Sequence, residues 1–281
     1  AFTFSSMDSG DGGGLWTVPR INPPFLLSLM TSSQHLPLHP SVELIQSNRH
    51  GLIALNKGVG VMAHPNRIKD RPSALLDADY DSLSQTFNWT NAEGREEKVW
   101  LLHRLDSPTS GVILLANNEA LAESVRSVFA DKAVKKVYYA IVKGCPQAGV
   151  GQWNQKVKQS PYQASSARID PSRSRRMLHA KTHYRLEQRR SGTPLLSRLK
   201  LEPVTGRTHQ LRAHCSLNRL PIVGDQTYGD FKFNRELKKT LGVDRLCLHA
   251  ERIALSYSWE GRTHSFSAKA ALPDVFNLLC P

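Results

Sequence analysis

Apolar residues fall along this chain in three rhythms, and each predicts a different element. Leu52-Ile53-Ala54-Leu55 and Val112-Ile113-Leu114-Leu115-Ala116 are short unbroken runs, the pattern of strands buried on both faces. The first leads into a tight turn at Lys57-Gly58-Val59-Gly60, and the second opens directly after Gly111. A two-residue alternation runs through Val137-Tyr138-Tyr139-Ala140-Ile141-Val142, a β-branched and aromatic strand stopped by Gly144. It places Tyr138, Ala140 and Val142 on one face, and leaves Tyr139 as a core residue on the other. The helical rhythm appears at Leu121, Val125, Val128 and Phe129, spaced i, i+4, i+7 and i+8 behind an Asn117-Asn118 N-cap. Residues 181–188 and 195–202 predict a hairpin around Ser191-Gly192. Thr208 is placed to cap a helix carrying His209, Gln210, Leu211 and Arg212, bounded beyond by Pro221. Strands outnumber helices, and no internal repeat is visible.

Two stretches break these rhythms. The first 40 residues open with Ser5, Ser6 and Ser9 among Gly10, Gly12, Gly13 and Gly14, a flexible leader with little order expected before Ser41. Its short apolar run over residues 23–30 lacks the basic start and small-residue cleavage pattern of a secretory signal. The leader also carries too few arginines and too many acids for a transit peptide. Residues 66–98 are polar and irregular, and read as a surface insertion. The remainder, residues 41–281, reads as one compact domain.

Hydrophobic content of 40% and charged content of 22% are ordinary for a soluble globular protein, but the charge balance is not. Thirty-seven Lys+Arg oppose 24 Asp+Glu, a net charge of +13, which favours a polyanionic partner, nucleic acid ahead of an acidic membrane surface. Residues 156–190 concentrate the excess in Lys156, Lys158, Arg168, Arg173, Arg175, Arg176, Lys181, Arg185, Arg189 and Arg190, opposed only by Asp170 and Glu187. We read this run as a phosphate-contacting surface. Cys145, Cys215, Cys247 and Cys280 are far apart and form no C-x-x-C pair, so neither zinc nor a disulfide framework is indicated and a reducing compartment is the simpler reading. His209 and His214, five residues apart, do not share a helical face and make a poor metal pair. No nucleotide-binding glycine loop and no metal-ligand cluster is present, so no cofactor is expected. No apolar run approaches transmembrane length, and Asn88-Trp89-Thr90 is a chance match to a glycosylation sequon. The expected compartment is the cytoplasm, with an organelle left open by the leader.

Candidate chemistry centres on Leu101 to Ala116. Arg104-Leu105-Asp106 precedes a Ser-Pro-Thr-Ser-Gly turn that opens into the buried run from Val112, so Asp106 sits on a loop anchored by a core strand. Catalysis needs carboxylates fixed in this way. A turn-capping Asp bonded to its own backbone would leave the same pattern.

His103-Arg104-Leu105-Asp106, two variable residues, then Thr109-Ser110-Gly111 resembles the signature of the RluA family of pseudouridine synthases. Five further blocks resemble the same family in the same order. They are Leu55-Asn56-Lys57 with Gly60 and Pro65; Lys136-Val137-Tyr138-Tyr139-Ala140; Thr205-Gly206-Arg207-Thr208-His209-Gln210-Leu211-Arg212; Pro221-Ile222-Val223-Gly224-Asp225 with Tyr228-Gly229; and Leu248-His249-Ala250. Together they span roughly residues 45 to 275. Gly58 stands where the family usually carries Pro.

The resemblance implies an α+β fold, a central, mostly antiparallel mixed sheet flanked by helices and loops around a cleft. It implies an isomerase that converts uridines in structured RNA, rRNA or tRNA, to pseudouridine, without cofactor or membrane and as a monomer. The leader is too short and too rich in Gly and Ser to be the S4-type RNA-binding module many relatives carry. By the same resemblance Asp106 is the catalytic carboxylate, Arg212 the cation that keeps it ionised, and Tyr138 the residue that stacks on the base and moves protons. Arg104 would fill the gap left by a flipped base, and His103, Arg207, Thr208, His209 and Gln210 would order the site or touch RNA. Read without the resemblance, Arg212 fits a helix-surface ion pair and Tyr138 a core tyrosine. The alternative function is a non-catalytic RNA-binding or assembly factor of the same fold.

Overall fold

The computed structural model describes residues 36–158 and 177–281. The strands are, in chain order, β1 (Val42–Ser47), β2 (Leu52–Lys57), β3 (Asp79–Asp81), β4 (Thr86–Thr90), β5 (Glu96–Leu101), β6 (Ser110–Ala116), β7 (Lys135–Lys143), β8 (Val150–Lys158), β9 (Met177–Arg190), β10 (Leu196–Pro203), β11 (Leu248–Trp259) and β12 (Arg262–Lys269). The helices among the described residues are α1 (Glu119–Ala130), α2 (Gln210–Leu217), α3 (Phe231–Leu241) and α4 (Asp274–Leu279), with a six-residue 3₁₀-helix at Ile68–Ser73. All twelve strands join one sheet in the order β3-β4-β5-β6-β11-β7-β10-β9-β8, with β1–β2 attached through β6 and β12 attached to β11. Every pairing is antiparallel except β6 with β11. This is the α+β, mostly antiparallel mixed sheet that the sequence leads one to expect. No helix among the described residues is long and apolar enough to cross a membrane.

β6 is the axis of the arrangement. All seven of its residues are buried, as an apolar run with no polar face requires. β2 pairs along the whole of one edge. The other edge is divided: β11 meets Ser110 and Gly111 at one end, and β5 meets Leu115 and Ala116 at the other. Residues of the intervening loop fill the gap. Leu102 N–H donates to Leu114 O (3.1 Å), and Leu114 N–H donates to His103 Nε2 (3.1 Å), so an imidazole stands in for a missing strand. Gly111 is required where β6 meets β11: its φ is +113°, and a Cβ there would lie 2.2 Å from Ala250 O. α1 packs its apolar face on this region, with Leu121 and Val125 fully buried and Asn118 Oδ1 accepting Leu121 N–H at the cap, as expected.

Several expectations are corrected. Residues 66–98 are not an irregular insertion. They extend the sheet through β3, β4 and β5, and bury Leu75, Leu76 and Phe87 completely. Because one face of this extension is solvated, its composition is polar and disguises the strands. Order begins before Ser41: Leu36 and Leu38 pack on the cluster around Leu75 and Leu76, and Leu38 bridges Leu76. Tyr139 is only partly buried, since its face of β7 is not fully covered. Thr208 does not cap α2. That helix starts at Gln210, and His209 holds the N-cap position at φ 54° without a side-chain cap bond. The β9–β10 hairpin is present and longer than expected. Of the basic run, Lys156, Lys158, Arg185, Arg189 and Arg190 are exposed on β8 and β9, whereas Arg168, Asp170, Arg173, Arg175 and Arg176 lie outside the described residues, as does the leader through residue 35.

Candidate active site

The split edge of β6 positions the candidate carboxylate. After His103 the chain leaves the sheet, and Thr109 N–H donates to Asp106 O (2.9 Å) to close a turn beside a cleft of about 810 Å³. Ser107 clamps this turn to the β2 turn: its Oγ donates to Gly60 O (2.6 Å), and its O accepts Gly60 N–H (2.9 Å). Beneath both lies Lys57, fully buried, whose Nζ donates to the carbonyls of Val61 (2.7 Å), Gly58 (3.0 Å) and Ser107 (3.0 Å). Burial lowers its pKa to about 7, against the pull of the Asp106 charge. Three carbonyls match the three N–H bonds of an ammonium, and this tripod fixes the backbone that carries Asp106.

Opposite stands Arg212, buried on the first turn of α2. Its fork is not spent on Asp106. Nε and Nη2 bond the two oxygens of Asp225 at 2.8 and 2.9 Å, Nη2 also reaches Thr227 Oγ1 (3.0 Å), and Nη1 alone turns to Asp106 Oδ2 at 3.3 Å. Asp225, whose side chain is 0% exposed, accepts two further bonds from the backbone N–H groups of Thr227 and Tyr228. Burial opposes its charge, but Arg212 and those N–H groups outweigh it and hold the carboxyl below its ordinary range. Burial likewise works against the Arg212 charge, and Asp225 and then Asp106 reverse it, so the guanidinium is held above its usual value. The Asp106 side chain keeps 24% exposure and one long bond to this pair.

Gln210 explains how α2 is held. Its Oε1 accepts Thr205 Oγ1–H (2.6 Å) and Arg207 N–H (3.0 Å), while Nε2 donates to Lys181 O and Thr182 Oγ1, both at 3.0 Å. All four polar positions of the amide are used, so Gln210 orders the site and faces no ligand. His209 has Nε2 3.7 Å from Asp106 Oδ2 and Nδ1 3.3 Å from Tyr228 Oη. Its left-handed backbone, uncommon for a residue with a Cβ, aims the ring at the cleft. Tyr138 lines the same cleft from β7, and burial followed by the Asp106 charge pushes its phenol well up.

His103, Arg104, Asp106, Tyr138, Arg207, Thr208, His209, Gln210 and Arg212 all line this cleft, so the structure brings every sequence-predicted site residue together. Their situations differ. His103 is structural: its ring stacks on Phe129 (5.0 Å), and burial, with Lys136 nearby, pushes its pKa down to about 3, which keeps Nε2 an acceptor for Leu114. Arg104 is exposed at the mouth, with Nη1 3.3 Å from His64 Nε2. Arg207 is exposed, and its Nε donates to His179 O (3.3 Å). Two contributors had no role assigned from sequence, Lys57 and Asp225. Each falls in a motif block, and the usable signal was a charged residue ending an apolar run, Leu52 to Leu55 for one and Ile222-Val223 for the other.

Among the described residues the cleft is lined by five cations, Arg104, Lys132, Lys136, Arg207 and Arg212, against the single carboxylate Asp106. A fixed carboxylate in a cationic, partly apolar cleft beside an aromatic ring suits chemistry on the sugar of a polyanion. Comparison with known proteins agrees. A family model described as RNA pseudouridylate synthase matches residues 51–217. A tRNA pseudouridine synthase C of Yersinia pestis is 29% identical over 235 residues, 81% of this chain and 86% of its own. The dual-specificity RNA pseudouridine synthase RluA of Haemophilus ducreyi is 31% identical over 247 residues, 84% of this chain and 96% of its own. Among solved structures, human RNA pseudouridylate synthase domain containing 4 superposes with a TM-score of 0.60 at 25% identity, covering 83% of this chain and 90% of that one. The chain belongs to the RNA pseudouridylate synthase family. Within it, these relatives place the chain in the RluA branch.

Proposed function

We propose that this protein isomerises uridine to pseudouridine in tRNA or rRNA, with Asp106 as the catalytic carboxylate. The observation that carries the reading is a carboxylate on a clamped turn, at the floor of a cationic cleft, held by one N–H of an arginine that is itself neutralised by Asp225. The net reaction breaks the bond from C1′ to N1, joins C1′ to C5, removes the proton from C5 and returns one to N1. It needs no redox partner and no group donor.

Asp106 must be ionised to attack C1′ or to assist uracil departure through a glycal. Arg212 Nη1 reaches one Asp106 oxygen at 3.3 Å and leaves the second oxygen uncommitted. Tyr138 is suited to stack on the base. Its raised pKa means that no phenolate is ready in the free protein, so a base role for it belongs to a later stage. Either route passes the negative charge of Asp106 to the departing uracil, so the site stays anionic and the Tyr138 proton stays on through C1′–N1 cleavage. The C5 proton is lost only after C1′ has joined C5, and Tyr138, against the base, is within reach of that transfer. A paired uridine is out of reach in a stem and must be flipped out, and Arg104 at the mouth is placed to fill the gap.

The test is pseudouridine mapping by chemical adduct and primer extension, on total RNA from cells with and without the protein. A site lost with the gene, and restored by the intact chain but not by Asp106→Asn, is the expected result. No lost site in tRNA or rRNA, or full restoration by Asp106→Asn, would overturn the reading.

A further inference from the structure

Of the five cations lining the cleft among the described residues, four are paired or exposed. Arg212 is locked between two aspartates, Arg207 rests on a carbonyl, and Arg104 and Lys132 are exposed at the rim. Lys136 on β7 differs from all of them. It is half-buried in the cleft wall, and among the described residues no carboxylate, carbonyl or hydroxyl lies within bonding distance of its Nζ. Burial alone pulls its pKa down, and no acidic group, Asp106 included, acts to restore it. Its neighbours are His103, which is neutral, and Gly206, where an added Cβ would sit 3.8 Å from Nζ. With no side chain at Gly206, the ammonium stays uncovered toward the cleft.

A partly desolvated ammonium without a partner is costly and is normally paired. Here the missing partner is an anion that arrives from solution. An ammonium is a compact point charge, suited to a singly charged phosphodiester oxygen, where a carboxylate or a terminal phosphate would be met better by a guanidinium fork. Asp106 bonds Arg212 and not Lys136, so Lys136 is left for an anion other than the reacting carboxylate. We propose that Lys136, left uncovered by Gly206, is a subsite for a backbone phosphodiester of the RNA, gripping the strand beside the reacting nucleotide. This rests on the reading of the cleft as an RNA site.

The test is binding of the full chain carrying Asp106→Asn, so that no turnover intervenes, to an oligouridylate of about 12 nucleotides across a salt series. Adding Lys136→Met, which keeps the apolar stem, should weaken binding about tenfold. It should also reduce the slope of log affinity against log salt by about 0.7, the signature of one lost single-strand phosphate contact. Lys136→Arg should restore the slope. Should Lys136→Met not fold, Gly206→Asp gives the ammonium an internal counter-ion and should produce the same slope change with Lys136 in place. A fall in affinity with an unchanged slope would assign Lys136 a packing role and overturn the proposal, and so would no change in either quantity. If pseudouridine mapping fails while the slope moves, the activity is misread and the anion subsite stands. If mapping succeeds while the slope stays, only the subsite falls.

Discussion

The two walls of the cleft are built on opposite principles. The α2 wall is dry and complete: Gln210 uses all four of its polar positions, Asp225 accepts four hydrogen bonds, and Arg212 is shared between two carboxylates. The rim is unfinished, with Arg104 and Arg207 exposed and Lys136 without a partner among the described residues. A satisfied network sets the geometry before any ligand arrives, because each donor already has one acceptor and one position. An unsatisfied rim waits for the ligand to supply what is missing. Asp106 sits between the two, tied to the complete wall by one long bond, with its second oxygen uncommitted.

Substitutions can break this contrast, and the largest effect is expected at the boundary itself. Asp106→Asn should reduce pseudouridine formation by at least about 10³-fold, measured by single-turnover assay, because the amide is neither an anion nor a nucleophile. Thermal unfolding should hardly move, since the side chain is tied by one long, part-buried bond and Arg212 keeps Asp225 and Thr227 as partners. Asp225→Ala should do the reverse first. It leaves a buried guanidinium facing Asp106 alone, and chemical denaturation should report a loss of about 3–5 kcal/mol, with activity falling as Arg212 swings toward Asp106. A variant that unfolds at the wild-type denaturant midpoint would show that the wall is not pre-built.

The same wall predicts a pH dependence. The Asp225 carboxyl is held below its ordinary value in the fold, so its stabilisation is fully present above the unfolded pKa of about 3.9 and is lost as pH falls through the folded value. Acid titration of the wild type should therefore show a steeper loss of stability below about pH 4 than Asp225→Asn, which cannot titrate at that position. Gln210→Leu tests a neutral part of the wall and should cost about 1–3 kcal/mol, because Thr205, Thr182 and the Lys181 carbonyl lose their partner. The smallest effect belongs to the rim. Arg207→Ala should change stability by less than about 0.5 kcal/mol and appear only as weaker, less salt-sensitive RNA binding. If rim substitutions melted the fold as strongly as wall substitutions, the distinction between the two walls would collapse.

How much of this was legible beforehand varies by element. The buried run of β6, the α1 stripe with its Asn118 cap, and the β9–β10 hairpin were readable because each is decided by residues a few positions apart. The β3–β5 extension was not, since one solvated face gives its strands the composition of a loop. Tyr139 was misplaced because alternation reports which residues share a face and not how well that face is covered. His103 looked like a ligand-facing residue of the motif, but its ring completes the hydrogen bonding of β6.

Through its resemblance to the RluA family, the sequence implied the fold class, the order of the motif blocks, and that Asp106, Tyr138 and Arg212 belong to one site. Which partner each side chain holds was decided only by the tertiary structure. Asp106 lies 106 residues from Arg212, and Asp225 lies 13 residues beyond it, yet the fork closes on Asp225 and reaches Asp106 with one N–H. Lys57 is likewise a tripod under the turn that carries Asp106 only because Ser107, 50 residues away, places its carbonyl there. The physical reason is the range of the forces. Propensity and periodicity act over one or two turns of chain, whereas partition of a guanidinium between two carboxylates depends on ångström differences set by the packing of the whole sheet.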